Sequence, residues 1–442
     1  MDYFAGLDVS IEETAVCVVD GDGSVIIRSS VPTDPEAIAL ALKPYARDLR
    51  RVGHEAGALS PWLQPQLKAQ GVPAICLETR HMRATLAAQR NKTDAADALG
   101  IAHVMRTGWY RIAHVKTEGC YRLRLLLTQR RNLKRKLLDI ENGIRHSLKA
   151  FGIRLGKIAR KNFEPTVREA VADDRLTAEL MDAMLGARAA LWREYLRLHD
   201  LVVRYVAQDA LCRRFMAIPG VGPVTALTFI TAIDDPSRFR RSRDVAAYFG
   251  LTSRRWQSGT TIDIRGRISK AGDADVRRAL YEAATSMLTR FKGEDRLKNW
   301  GTELVKSKGH KKAAVAVARK MSVVMHAIWR DGTAYNSHPD LASDAVVARA
   351  GEKVQTMEAE ARYLACDWPA RSRRNACDDA RESDSDMRRD DLDARHQPMA
   401  TRSIGVDERG GMHGAPHPNV LHEARLRSRL PVGYYRQVER RR

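Results

Sequence analysis

The feature that most constrains this chain is the switch of hydrophobic period along its N-terminal segment. Tyr3 to Val9 and Thr14 to Asp20 read as strands, Asp20-Gly21-Asp22-Gly23 supplies a hairpin turn, and Ser24 to Val31 completes a three-strand meander. Helical spacing follows over Pro35 to Leu49, then a strand at Val52 to Ala56, a helix over Pro61 to Gln70, a strand at Pro73 to Leu77 and a helix from Thr93 to about Met105. Three strands, then helix, strand, helix, strand and a closing helix is the order of a ribonuclease-H-like α/β fold.

Beyond this segment the pattern is helical. A long basic stretch, Glu118 to about Lys149, places Leu126, Leu133, Leu137, Ile140, Ile144 and Leu148 at alternating three and four spacing. A second run covers Leu176 to Val206, and the two with a polar loop between them predict an antiparallel hairpin or coiled coil. Ile218-Pro219-Gly220-Val221-Gly222-Pro223, ahead of the apolar Val224 to Ile233, resembles one helix-hairpin-helix unit, whose glycine turn offers backbone N–H groups to a phosphate. A plain Gly/Pro turn between packed helices fits those residues equally. Further helices are indicated at Asp273 to Arg290 and Lys311 to Arg330. The expected division is 1–115 catalytic α/β domain, 116–210 helical hairpin, 211–335 mainly α domain, and 336–442 a charge-dense, apolar-poor tail whose composition predicts disorder.

Charge narrows the partner. The 442 residues carry 75 Lys+Arg against 54 Asp+Glu, a net charge of +21, which favours polyanions and makes nucleic acid the leading class. No apolar run approaches the roughly 18 residues a spanning helix needs, and the start lacks a secretion signal, so the expectation is a cytoplasmic protein without a membrane partner. Cys17, Cys76, Cys120, Cys212, Cys366 and Cys377 are scattered with no C-x-x-C pair, which argues against a zinc site. Arg130, Arg131, Lys134, Arg135 and Lys136 crowd seven positions and point to phosphate contact rather than a merely solvated face.

Two constellations carry chemistry. Asp8 ends the first strand in Gly-Leu-Asp-Val-Ser, and Glu55 ends the fourth in Gly-His-Glu-Ala-Gly; a carboxylate among apolar strand residues is costly unless paired or metal-bound. Asp94 and Asp97, in Asn91-Lys92-Thr93-Asp94-Ala95-Ala96-Asp97-Ala98, lie three apart on one helix face. Alone, Asp94 would read as a helix-terminus acid beside the cap Thr93; the joint placement on strand one, strand four and the last helix predicts a cluster of hard oxygen ligands for Mg²⁺ or Mn²⁺. The second is Gly250-Leu251-Thr252-Ser253-Arg254-Arg255-Trp256-Gln257-Ser258-Gly259, continuing to Gly266-Arg267-Ile268-Ser269-Lys270-Ala271-Gly272. A hydroxyl beside glycine with Arg254, Arg255, Arg265, Arg267 and Lys270 nearby suits a phosphate-attacking nucleophile, although serine before glycine is also common loop composition.

Taken together and in this order, these motifs resemble the DEDD/serine insertion-sequence transposases, the insertion-sequence 110 family related to the Piv invertase, over roughly residues 3 to 335. The resemblance implies a RuvC-like metal site of Asp8, Glu55, Asp94 and Asp97, with Ser258 as the residue that becomes linked to DNA. It also implies a bacterial recombinase guided by an element-encoded noncoding RNA that pairs with donor and target DNA. Its working form would be a homo-oligomer, a dimer or tetramer, whose composite sites join one subunit's carboxylates to another's serine. Candidate nucleic-acid contacts are Arg130, Arg131, Lys134, Gly220, Gly222, Arg254, Arg255, Arg267 and Lys270. Ser253 stands where many relatives have proline, and Ala-Gly-Ala follows Glu55 where Ala-Thr-Gly is expected. A stand-alone RuvC-like junction resolvase or structure-specific nuclease would share the acids but need no Ser258 region. A sugar kinase or actin-like ATPase would need a second phosphate-binding turn that is absent from the sequence, and a non-catalytic RNA-binding protein would leave the acids unexplained.

Overall fold

The computed structural model describes residues 1–87, 92–259 and 262–337, less the side chains of Ile262 and Arg265. Asn91 and the tail expectation beyond Ser337 therefore lie outside the described residues.

The N-terminal sheet forms from short apolar runs separated by turn residues. β1 (Tyr3–Val9), β2 (Glu13–Val19) and β3 (Val25–Pro32) are an antiparallel meander. One carboxylate oxygen of Asp20 accepts the N–H groups of Asp22, Gly23 and Ser24, closing the hairpin turn. α1 (Pro35–Leu42) starts on an Asp34 cap with proline at its first position, but stops seven residues short of the expected Leu49. Pro44, which has no N–H to donate, sits in a short 3-10 turn over Lys43–Tyr45, and β4 (Leu49–Glu55) has begun by Leu49. α2 (Ser60–Ala69) and β5 (Ala74–Leu77) follow, then α3 (Thr79–Leu86), which periodicity does not reveal, and α4 (Asp94–Thr107).

The strand order is β3-β2-β1-β4-β5, with β1, β4 and β5 parallel, the expected ribonuclease-H-like arrangement. Ala5, Leu7, Val16 and Val18 pack on one face against Ile38, Leu42, Leu63 and Leu67 of α1 and α2. Phe4, Cys17 and Val19 pack on the other against Met82, Ile101 and Met105 of α3 and α4.

The remainder is mainly helical. α5 (Glu118–Leu148) and α7 (Arg175–Gln208) form the expected long pair, but the loop between them contains α6 (Arg160–Ala170). Phe163 and Val167 of α6 join Ile144, Leu148, Met181 and Leu185 in one core, so a helix occupies what reads in sequence as polar connection. α8 (Ala210–Met216), α9 (Pro223–Ile233) and α10 (Ser242–Tyr248) lead to a two-stranded antiparallel ribbon, β6 (Ser253–Ser258) and β7 (Ile262–Ile268). α11 (Ala274–Thr289), α12 (Arg296–Lys308) and α13 (His310–Asp331) complete a core in which Phe215, Phe229, Phe249, Leu280 and Met321 are fully buried. Leu123, Leu126 and Leu127 pack against this same core, so α5 begins on it and ends in the hairpin core. No helix among the described residues is long and apolar enough to cross a membrane.

Candidate active site

Period two along β1 decides where its aspartate goes. Phe4 packs toward α4 whereas Ala5 and Leu7 pack toward α1 and α2, which puts Gly6 and Asp8 on the α4 side. A Cβ added to Gly6 would stand 2.1 Å from the Ala98 carbonyl and 2.4 Å from the Ala102 nitrogen, so only glycine lets the helix lie this close to the strand. Gly53 pairs with Gly6 across β1 and β4 and meets Ile101 and Met105 from the same side. Glu55, two residues on, therefore shares that face at the neighbouring strand end. α4 starts on a Thr93 cap whose hydroxyl accepts the Ala96 N–H, and its first turn carries Asp94 and Asp97.

The electrostatics record the convergence. Asp8 is pushed up to about 6, first by burial and then by the charges of Asp97, Asp94 and Glu55, with Lys92 offsetting part of the effect. Burial and Asp97 also raise Glu55, against a Thr79 hydrogen bond and Lys92. Asp97 is buried and Asp94 is exposed. Among the described residues no three His, Cys, Asp or Glu side chains close into a preformed metal cage. The acids meet instead as a mutually repelling group, one that a divalent cation would neutralise. Lys92 and Thr79 are further members that the spacing of the acids does not point to; Lys92 stands inside the Asn91 to Ala98 motif, but nothing local marks Thr79.

The second constellation is built on the ribbon. Ser258 ends β6, exposed, and among the described residues no hydrogen bond or ion pair joins it to the four carboxylates. Ser253 is exposed at the other end of β6, and Ser269, half-buried beyond β7, accepts the Ala271 N–H at 3.4 Å.

Several expected nucleic-acid contacts are occupied within the protein. Arg130 donates to the Tyr195 hydroxyl at 2.7 Å and to His199 Nδ1 at 3.2 Å, and lies over the Tyr195 ring, so it is an inward helix-pairing residue. Arg131 is paired with Asp275 of α11. Arg255 is held by both oxygens of Asp263, at 2.6 and 2.9 Å. Gly220, with φ +85°, is pressed against α11, where a Cβ would lie 2.2 Å from the Ala283 carbonyl; its glycine serves helix packing. Gly222 faces open space, and Lys134, Arg254, Arg267 and Lys270 are exposed, Arg254 also donating to the Ser269 carbonyl at 3.2 Å.

Comparison with known proteins bears on this arrangement. The transposase for insertion sequence element IS1111A of Coxiella burnetii is 26% identical over 334 residues, covering 73% of this chain and 88% of the relative. The transposase for insertion sequence element IS1328 of Yersinia enterocolitica is 29% identical over 133 residues, 30% of this chain and 40% of that one. The pilin gene-inverting protein of Moraxella bovis is 28% identical over 120 residues, 27% and 37% respectively. Among solved structures, Thermus thermophilus RuvC in complex with a Holliday junction substrate matches at 18% identity and a TM-score of 0.21, covering 26% of this chain and all of that one. A transposase profile of the DEDD IS110 type matches residues 5–153, which hold all four carboxylates, and a profile described as the transposase IS116/IS110/IS902 family matches residues 212–299, which hold the ribbon and Ser258. With both halves matched in order, the chain belongs to the IS110/IS116 family of insertion-sequence transposases.

Proposed function

We propose that this transposase excises and integrates its insertion sequence by cleaving DNA at a metal site of Asp8, Glu55, Asp94 and Asp97 and by linking DNA to Ser258. The observation that carries the reading is the convergence of the acids on the α4 face of the sheet, where three neighbours and burial drive Asp8 to about 6. Hard carboxylate oxygens with surplus negative charge fit Mg²⁺ or Mn²⁺, and the same four residues would hold it. Such an ion, when bound, makes an attacking oxygen easier to deprotonate and steadies charge on the phosphate.

The chain's own part is positional and electrostatic. Ser258 Oγ forms a bond to phosphorus, the phosphorus bond to a deoxyribose oxygen breaks, the seryl proton is given up and the departing oxygen takes one. The resulting ester keeps the energy of the broken bond for resealing to a new partner. Arg254, with Arg267 of β7 and Lys270 beyond the ribbon, offsets phosphate charge; Arg255 is already paired with Asp263 and contributes less. The division into 1–115, 116–210 and 211–335 follows this assignment. An element-encoded guide RNA and a homo-oligomer with composite sites are the partners the family likeness supports, alongside donor and target DNA.

The test is covalent capture. Denatured reactions of the wild type should contain DNA attached to the chain. Ser258→Ala should lack the adduct, and Ser253→Ala and Ser269→Ala should keep it. Asp8→Asn or Asp97→Asn should abolish cleavage with DNA binding retained. An adduct mapping to Ser253 or Ser269 would overturn the serine assignment, and full activity of Asp8→Asn the metal site. Sequencing RNA that copurifies with the full chain checks the guide.

A further inference from the structure

The ribbon carries an aromatic group that neither packing nor the serine chemistry accounts for. All of β6 is exposed, and its register sets Trp256 opposite Ile264, with Ser258 two residues on. Period two places Trp256 and Ser258 on one face and Arg255 and Gln257 on the other, while Arg254 sits at the register shift between Ser253 and Arg255. The indole lies across Gly266 on the opposite strand, where a Cβ would stand 2.4 Å from the ring. Covering that glycine uses one side of the ring only: Trp256 remains 51% exposed and its partner Ile264 59%. A large apolar pair left in water at the tip of a polar ribbon calls for a partner.

Charge selects which one. Arg254, Arg267 and Lys270 are exposed around the ribbon, and the chain as a whole carries +21, so a second copy would bring like charge while a nucleic acid brings the opposite. Aromatic rings among cations are how proteins hold unpaired bases without reading sequence. We propose that Trp256 is a stacking platform for an unpaired base of the DNA strand whose phosphate faces Ser258, so that the ring, two residues from the hydroxyl, sets the strand's position for attack. This rests on the reading of Ser258 as nucleophile, but the stacking contact is measurable without it.

The full chain is mixed with a single-stranded oligodeoxynucleotide carrying 5-iodouracil, irradiated, and the crosslinked peptide mapped by mass spectrometry. Affinity is measured in parallel by anisotropy for wild type, W256F, W256L and S258A. The crosslink should map to Trp256 and persist in S258A. W256L, which still covers Gly266 but cannot stack, should bind roughly tenfold more weakly, whereas W256F should stay within about twofold. Wild-type affinity in W256L means the ring serves only to cover the glycine, and overturns the proposal. So do crosslinks that map off the ribbon, crosslinks obtained with an RNA oligomer alone, or a W256L variant whose oligomer dissociates while its DNA affinity holds. If the Trp256 results stand and S258A still forms a covalent adduct, the serine assignment fails and the stacking does not.

Discussion

At the scale of single residues, the acidic site depends on an amino acid with no functional group. Gly6 is the point where α4 crosses β1, and the first turn of α4 carries two of the four acids. Gly6→Ala pushes backbone against backbone, which no rotamer relieves; it should cost about 2–3 kcal/mol and move Asp94 and Asp97 away from Asp8. Denaturant melts and cleavage assays at matched folded fraction check this, and wild-type stability would show that the helix slides freely. His199 gives a pH signature of the helical pair. Burial, then Arg130, lowers it to about 4 from an ordinary 6.5, and its Nδ1 is already accepting from Arg130. Between those values the unfolded chain binds a proton that the folded chain refuses, so stability is whole above about 6.5 and falls as pH drops toward 4. Thermal midpoints against pH should fall less steeply in His199→Gln than in the wild type.

At the scale of elements, one strained turn ties the segment entering α5 to the end of α9. Asp234 has φ +65° and ψ −58°, and the Asp235 N–H donates to the Ile233 carbonyl at 2.8 Å, a γ-turn in the strained sense for a residue with a side chain. Its carboxylate accepts from His114 Nε2 at 2.7 Å and from the Thr117 hydroxyl and N–H at 2.8 and 3.1 Å. Beside it Lys116, lowered to about 8 by burial, donates to the Ala232 carbonyl at 2.5 Å. Asp234→Ala keeps the strain and loses all three bonds, so it should destabilise by about 2–4 kcal/mol; Asp234→Gly, free to adopt that φ, should lose about 1 kcal/mol less. Equal losses in urea melts would show that the turn stores no strain.

At the scale of the whole molecule, the surplus of positive charge should make nucleic-acid affinity steeply salt-dependent, with unequal shares from the basic residues. Lys134, Arg135 and Lys136 are exposed, whereas Arg130 is turned toward α7. Replacing the three exposed residues by Gln should flatten the slope of log K against log salt by roughly one unit for every phosphate left unneutralised. Arg130→Gln should leave the slope unchanged and lower the melting temperature, because it empties the space between two paired helices. A flattened slope in Arg130→Gln would mean that it reaches phosphate after all.

What the sequence by itself determined is whatever repeats locally. A short, mostly apolar run closed by turn residues marked Tyr3–Val9 as a strand, and the Asp94–Asp97 spacing lies within one helical turn. The placement of Asp8 and Glu55 at neighbouring strand ends was legible too, once the strand order was recognised. Tertiary structure decided what depends on partners distant in sequence. Phe163 makes α6 a helix because Leu148 and Leu185 await it, and the basic run on α5 divides into inward and outward residues only when Tyr195, His199 and Asp275 arrive from other helices. Of the β6–β7 ribbon, β6 is polar but for Trp256 and carries no strand signal of its own, while Ile262, Ile264 and Ile268 of β7 do alternate with Asp263, Arg265 and Arg267; the register, which sets Trp256 over Gly266, exists only between strands. Spacing along a chain fixes direction within an element, but charge and burial belong to the neighbours that folding supplies.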